Sequence, residues 1–196
     1  MMSTNILERL RIDTADAHQQ IENNSYARSM MDKTMTLPQY TNYLQLFYGF
    51  LQPLEQRALH SGLPQQLGLD MNMRGKTALL ERDLLHLGLT TQQLSELPLC
   101  TELPDISTAE RLIGCFYVIE GSTLGGQIIT KQLMKFLPVE PEAGISYFNG
   151  YGQHTRDQWL SFRELVLKWG DSDPSRQEIV YSARDTFRLL QQWINA

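Results

Sequence analysis

Hydrophobic residues recur every three or four positions along most of the chain, which is the period of an amphipathic helix. Alternating β-branched runs bounded by turn residues, the pattern typical of strands, are nearly absent. The pattern predicts about six main helices, which we place near residues 4–23, 37–60, 73–87, 107–136, 155–169 and 173–194. We therefore expect one all-α domain, a multi-helix bundle that spans residues 1–196.

Residues that commonly start or stop helices mark several of these boundaries. Pro38 suits the first turn of the second helix, and Gly88 suits the end of the third. Ser107 and Glu110 have the S-x-x-E spacing of a capping box, which predicts the start of the fourth helix. The proline-containing stretch 90–105 is interpreted as a connection with one short turn.

The most informative feature is a glycine-rich segment inside the fourth predicted helix. Gly121, Gly125 and Gly126 place three glycines within six residues. Each glycine costs a helix about 1 kcal/mol relative to alanine, so we expect a compensating close approach to the backbone. The approaching group is either a neighbouring helix, which the four-residue spacing of Gly121 and Gly125 also suits, or a flat ligand. The segment alone leaves both explanations open.

His18 is the histidine that the helical pattern places toward the apolar side of its own helix. Arg11 lies seven residues earlier, which is two turns along the same face and about 10 Å along the axis. An imidazole with a cation at this distance suits an iron ligand and an anchor for a carboxylate tail. A buried structural histidine beside a solvated arginine explains the same spacing.

Composition excludes several other classes of protein. The net charge of −5 argues against a general nucleic-acid binder. Cys100 and Cys115 lack CxxC or zinc spacing, and we expect them to stay reduced in the cytoplasm. The first residues lack a signal-peptide core, and the apolar stretch 112–119 is shorter than the roughly 20 residues of a membrane span. We therefore expect no membrane span.

Four segments together resemble the haem oxygenase family over nearly the whole chain. Residues 10–22, which contain His18, are similar to the proximal helix of that family, and residues 117–126 are similar to its distal helix. Residues 40–55 and 148–152 resemble the segments that follow each of them in bacterial members. The resemblance implies a haem oxygenase fold.

The same resemblance implies a reaction. Haem, as both cofactor and substrate, is opened by dioxygen to biliverdin, carbon monoxide and ferrous iron, with electrons from a ferredoxin, a flavodoxin or an NAD(P)H reductase. His18 is implied to be the axial ligand of the haem iron. The backbone at Gly121, Gly125 and Gly126 is implied to form the distal wall, and no side chain acts as a nucleophile.

Two further sets of site residues follow from the resemblance. Many family members carry an aspartate after the first distal glycine, where this chain has Ser122, so proton delivery is expected to use water held by Ser122, backbone carbonyls or Gln127. Haem propionates need hydrogen-bonding or cationic partners. The residues expected to supply them are Arg11, Tyr117, Arg156 and Arg163.

Alternatives remain at this stage. A protein of the same fold could bind haem without degrading it, for storage, transfer or sensing. A relative that has exchanged haem for a non-haem di-iron site would need paired Glu-x-x-His motifs, which the sequence lacks. The Gly-Ser-Thr-Leu-Gly-Gly form of residues 121–126 resembles bacterial members, including those that supply biliverdin to a bacteriophytochrome.

Overall fold

A computed structural model describes residues 5–196, and these residues fold into helices without a named strand. Among the described residues, β-bridges join Glu140 to Ala143 and to Gly144. One 3₁₀ turn covers Gly152–His154. The helices in chain order are α1 (Ile6–Asp13), α2 (Ala15–Glu22), α3 (Ser25–Met31), α4 (Leu37–Ser61), α5 (Leu63–Leu67), α6 (Met71–Arg74), α7 (Thr77–His86), α8 (Thr91–Ser95), α9 (Ala109–Leu133), α10 (Ser146–Asn149), α11 (Thr155–Trp169) and α12 (Asp173–Ile194).

Helix α9 is the centre of the fold. It packs most extensively against α12, and α10 and α11 also lie along it. Gly114 permits the contact with α12, because a Cβ at this position would lie 2.2 Å from the carbonyl oxygen of Ile179. By length and composition α9 could cross a membrane, but 56% of its most apolar stretch is buried inside the fold, as in the core helix of a globular protein.

The first predicted helix is divided in two, which corrects the prediction of one helix over residues 4–23. Thr14 separates α1 from α2, with φ −107° and ψ −1°. Its hydroxyl donates to the carbonyl oxygen of Leu10 at 2.7 Å, a local bond by which threonine competes with the helix. Thr4, the predicted first residue, lies outside the described residues.

The predicted helix 73–87 is also wrong as a single element, since α6 ends at Arg74 and α7 begins at Thr77. The break has a tertiary cause. The Glu55 carboxylate on α4 accepts the backbone N–H groups of Lys76 at 2.6 Å and Thr77 at 3.2 Å. A side chain distant in sequence therefore satisfies the start of α7, which local periodicity cannot anticipate.

Other boundaries follow the sequence closely. Helices α4, α11 and α12 have the predicted extents to within one residue. Gly88 adopts φ +102° after α7, as expected of a glycine that ends a helix. Helix α9 passes through all three glycines without a break, but its N-cap is Thr108 rather than Ser107 and it ends at Leu133. The short helices α3, α5 and α10 were not predicted.

Candidate functional site

One face of α9 is left uncovered by the other residues that the structure describes, 5–196. At Gly125 a Cβ would meet no atom within 4 Å. Leu124 and Ile128 flank this opening and are 40% and 70% exposed. Apolar side chains on a central helix are normally covered, so this open stripe, formed by Leu124, Gly125 and Ile128, has the character of a ligand-binding surface.

The opposite face of α9 is packed tightly. At Gly126 a Cβ would lie 2.4 Å from the carbonyl oxygen of Phe148, so only glycine lets the two backbones approach. Next to it, the Gln127 side-chain amide donates to the carbonyl oxygen of Asn149 at 2.5 Å. Gly126 therefore serves packing between segments, whereas Gly125 leaves space open.

Gly121 has a third environment. A Cβ there would lie 3.6 Å from the indole of Trp159 on α11, an ordinary van der Waals distance. The Trp159 ring also lies 5.5 Å from that of Tyr117, centroid to centroid. These aromatic side chains close the N-terminal end of the open stripe.

Cationic side chains gather at this closed end. Burial raises the pKa of the Tyr117 phenol, and the nearby charges of Arg163 and Arg11 oppose that rise. Tyr117, Arg163 and Arg11 come from α9, α11 and α1, so three helices converge here. Arg156 is exposed on α11, about two turns before Arg163, and the described contacts do not join it to the other three.

His18 lies on α2 with an accessible ring. Its side chain is 54% exposed, whereas the sequence pattern predicted a packed position. The Nδ1 atom is 3.5 Å from a Glu22 carboxylate oxygen one turn later, and the ring meets the edge of Phe187 on α12 at 5.7 Å between centroids. Within the described contacts Nε2 has no partner. Such an arrangement orients an imidazole while leaving one nitrogen able to bind a metal.

Ser122 is exposed at the margin of the open stripe, but its proton is already in use. The hydroxyl donates to the carbonyl oxygen of Ile119 at 2.7 Å. Its remaining lone pairs can accept hydrogen bonds, for example from water. Ser122 is therefore an acceptor here and not a ready proton donor.

A buried ionic network behind α9 was missed from the sequence. The Glu120 carboxylate is fully buried and accepts hydrogen bonds from Arg74 at 2.6 Å, Lys76 at 3.2 Å and the Tyr151 hydroxyl at 2.7 Å. Burial lowers the pKa of Lys76, and the Glu120 charge opposes this shift. Burial, followed by the Glu120 charge, raises the pKa of Tyr151. A lone glutamate within an apolar helix was the available sequence signal.

A family model described as "Heme oxygenase" matches residues 4–196. The chain belongs to the haem oxygenase family. A search of curated proteins found no match to this haem oxygenase family member.

Solved structures agree with this assignment of the fold. A haem oxygenase from Leptospira interrogans is 20% identical, with a TM-score of 0.81 over 97% of this chain and 98% of that one. A Neisseria meningitidis haem oxygenase, described with bound NO and CO, is 21% identical, with a TM-score of 0.75 over 98% and 94%. Haem oxygenase-1 from Synechocystis sp. PCC6803, in complex with haem, is 15% identical, with a TM-score of 0.72 over 98% and 91%.

The exposed groups of this haem oxygenase family member suit a haem. The open stripe offers an apolar surface with bare backbone at Gly125, and His18 offers an imidazole nitrogen. Arg11 and Arg163 provide positive charge beside Tyr117, which suits a ligand that carries carboxylate groups. A clustered metal site is a poorer fit, because the described residues contain no group of three His, Cys, Asp or Glu side chains able to hold a metal ion.

Proposed function

We propose that this protein is a haem oxygenase that cleaves haem oxidatively to biliverdin, carbon monoxide and ferrous iron, using dioxygen and external electrons. The observation that carries the proposal is the uncovered face of α9. A Cβ at Gly125 would meet nothing, whereas one at the adjacent Gly126 would collide with the Phe148 backbone. The segment therefore combines a packed face with an open apolar one, and an open apolar face on a core helix calls for a ligand.

The two ends of the site are connected through α1. The charge of Arg11 reaches Tyr117 on α9, so α1 approaches the closed end of the open stripe. His18 follows Arg11 by seven residues, on the next helix. A flat macrocycle lying along α9 would thus have cations at its carboxylate edge and the His18 imidazole available for its iron.

Bound haem would supply both the iron that reacts with dioxygen and the ring that is oxidised. The protein's own groups bind and orient it. Glu22 near Nδ1 favours a hydrogen on that nitrogen, which would leave Nε2 as the ligand atom. Gly125 would leave room for a bound haem beside α9, and Leu124 and Ile128 would exclude water from the surface that it covers.

Proton delivery would depend on water held at Ser122. Its hydroxyl hydrogen bonds to Ile119, so the oxygen can accept a hydrogen bond from a water molecule in the cleft. The Gln127 amide N–H group donates to Asn149 on the packed face, so Ser122 is the favoured site for this water in the proposal. A share of Gln127 in proton delivery stays a prediction.

Titration of the haem-free protein with hemin tests binding first. We expect a saturable Soret band in the wild type, and a strongly shifted or weakened band in His18→Ala. His60→Ala is the matched control, because His60 lies on α4 and contacts the carbonyl oxygen of Gln56. A Soret spectrum in His18→Ala that is the same as the wild type would remove His18 as the ligand.

Turnover tests the reaction itself. The loaded protein, given dioxygen and a reducing system, should lose its Soret band while a biliverdin band grows at long wavelength. The alternative function is non-catalytic haem binding, and the absence of a carboxylate at Ser122 favours it. A stable oxygen complex that forms no biliverdin would support that alternative.

Partners follow from the same proposal. The reaction requires a redox partner, either a ferredoxin, a flavodoxin or an NAD(P)H reductase, and its product could serve a bacteriophytochrome. We propose the cytoplasm as the site of the reaction, since Cys100 and Cys115 are both free and buried.

A further inference from the structure

We propose that Tyr151 is a positioning residue for the haem site, which holds α9 from behind and so fixes where its open stripe lies. The effect on haem rests on the proposed function. The effect on the position of α9 does not, because the Tyr151 hydroxyl holds the helix in the haem-free protein as well.

The backbone around Tyr151 forms a specialised turn. Gly150 and Gly152 flank it, with φ of +54° and +56°. Gly150 combines this φ with ψ −117°, a conformation that is essentially limited to glycine. The turn places the Tyr151 hydroxyl between two buried charges. The hydroxyl donates to Glu120 at 2.7 Å and accepts from Lys76 Nζ at 2.7 Å.

The segment that carries Tyr151 is attached to α9 at two further points. The Phe148 carbonyl lies against Gly126, and the Asn149 carbonyl accepts from Gln127. Tyr151 is the attachment nearest the N-terminal end of the glycine segment. Together these contacts hold one side of α9 along about two turns.

Glu120 is fully buried and points away from Gly125, although Leu124 follows it by one turn. It precedes Gly125 by five residues, a rotation of about 140° around the helix axis. Because protein interiors are close-packed, a shift of the helix at Glu120 must move the backbone at Gly121 and Gly125 as well. The hydrogen bonds of Glu120 thus fix the position of the backbone at Gly121 and Gly125.

The hydroxyl, and not only the ring, carries this role. Lys76 Nζ also lies 4.1 Å from the centre of the Tyr151 ring, a contact that phenylalanine would keep. Removing the oxygen takes an acceptor from Lys76 and a donor from Glu120, both buried charges. Glu120 keeps Arg74, and Lys76 keeps the Arg74 carbonyl oxygen, but each loses one buried hydrogen bond, and the helix adjusts to that loss.

Hydrogen exchange in the haem-free protein is the first test. Tyr151→Phe should accelerate amide exchange across residues 117–127 by about tenfold or more, as expected when a hydrogen bond to a charged group is lost. Tyr181→Phe is the matched control, because it removes the hydroxyl of a 57% exposed tyrosine and should leave this segment unchanged. Unchanged exchange in Tyr151→Phe would overturn the inference.

Two readouts of the loaded protein separate positioning from simple loss of stability. Tyr151→Phe should shift the C–O stretching frequency of the ferrous carbon monoxide complex and alter the ratio of biliverdin isomers. A lower melting temperature with both readouts unchanged would reduce Tyr151 to a structural residue and overturn the inference. Failure of the wild type to bind hemin would instead overturn the proposed function, leaving the exchange test to decide the mechanical coupling.

A second variant covers the case in which Tyr151→Phe does not fold. Gly150→Ala strains the turn while leaving every charged group of the network in place. It should reproduce faster exchange in residues 117–127. Wild-type exchange in a folded Gly150→Ala protein would count against the coupling.

Discussion

Alanine substitutions at two adjacent glycines should have opposite effects on stability. Gly125 and Gly126 are both helical residues of α9, so the gain in helix propensity from a methyl group is the same at both, about 1 kcal/mol. What differs is the space that the methyl group enters. At Gly125 it meets nothing within 4 Å, and at Gly126 it meets the Phe148 carbonyl oxygen at 2.4 Å.

These distances determine the expected magnitudes. Gly125→Ala should raise the free energy of unfolding of the haem-free protein by about 0.5–1 kcal/mol, the range for glycine-to-alanine changes without strain. Gly126→Ala forces two backbones apart, which costs about 1–3 kcal/mol or more and outweighs the same propensity gain. The two variants should therefore differ by the cost of that contact, about 1–3 kcal/mol.

The assay has two parts. Urea unfolding of the haem-free proteins, followed by far-UV circular dichroism, gives the change in stability, and hemin titration gives affinity. Gly125→Leu extends the series, because a larger side chain from the open stripe should block the haem surface while the haem-free fold persists. We expect weakened hemin binding in Gly125→Leu without a loss of folded structure.

Two results would refute the reasoning. If Gly125→Ala destabilised the haem-free protein as much as Gly126→Ala, the face at Gly125 would not be open. If Gly125→Leu bound hemin with wild-type affinity and an unchanged Soret spectrum, the open stripe would not be the haem surface.

Three further predictions concern other parts of the structure. Ser122→Ala should leave hemin affinity near the wild-type value and slow biliverdin formation, since only a water acceptor is lost; an unchanged single-turnover rate would exclude Ser122 from proton delivery. Glu55→Gln should lower the free energy of unfolding by about 2 kcal/mol in urea titrations, because one amide oxygen cannot accept every hydrogen bond from Lys76 and Thr77. Burial raises the pKa of Tyr43 from 10.0 to about 12, so the folded state keeps a proton that the unfolded chain loses. Stability should therefore fall above pH 10, by about 1 kcal/mol between pH 10 and pH 11, and Tyr43→Phe should remove that part of the slope; an identical slope in the variant would contradict the assignment.

Helix boundaries could be predicted wherever local residues determine them. Helix α12 begins at a serine cap followed by a proline, and both signals are visible in the sequence. The division between α6 and α7 could not be predicted in this way, because its cause is Glu55, a residue of α4. The break at Thr14 lies between these cases, since a threonine hydroxyl can either face solvent or bond to its own helix.

The glycine segment shows the corresponding limit at the candidate site. Spacing alone identified three glycines that required an explanation, but it could not divide helix packing and ligand binding among them. The structure gives Gly121 an indole, Gly125 open space and Gly126 a neighbouring backbone. These roles depend on α10 and α11, whose positions do not follow from the spacing of residues within α9. Helix packing and ligand binding were alternatives for the sequence. The structure shows packing at Gly126 and leaves Gly125 open for the proposed ligand.

Glu120 cannot replace the carboxylate that many family members carry at the position of Ser122. The two residues are two positions apart, which turns their side chains about 160° from each other around α9. Glu120 is fully buried, and its charge is matched by Arg74 and Lys76. Moving it toward the open stripe would leave both cations buried without their partner, at a cost of several kcal/mol. Catalysis by this protein would therefore have to proceed with an uncharged distal side chain, and water at Ser122 becomes the group on which proton delivery depends.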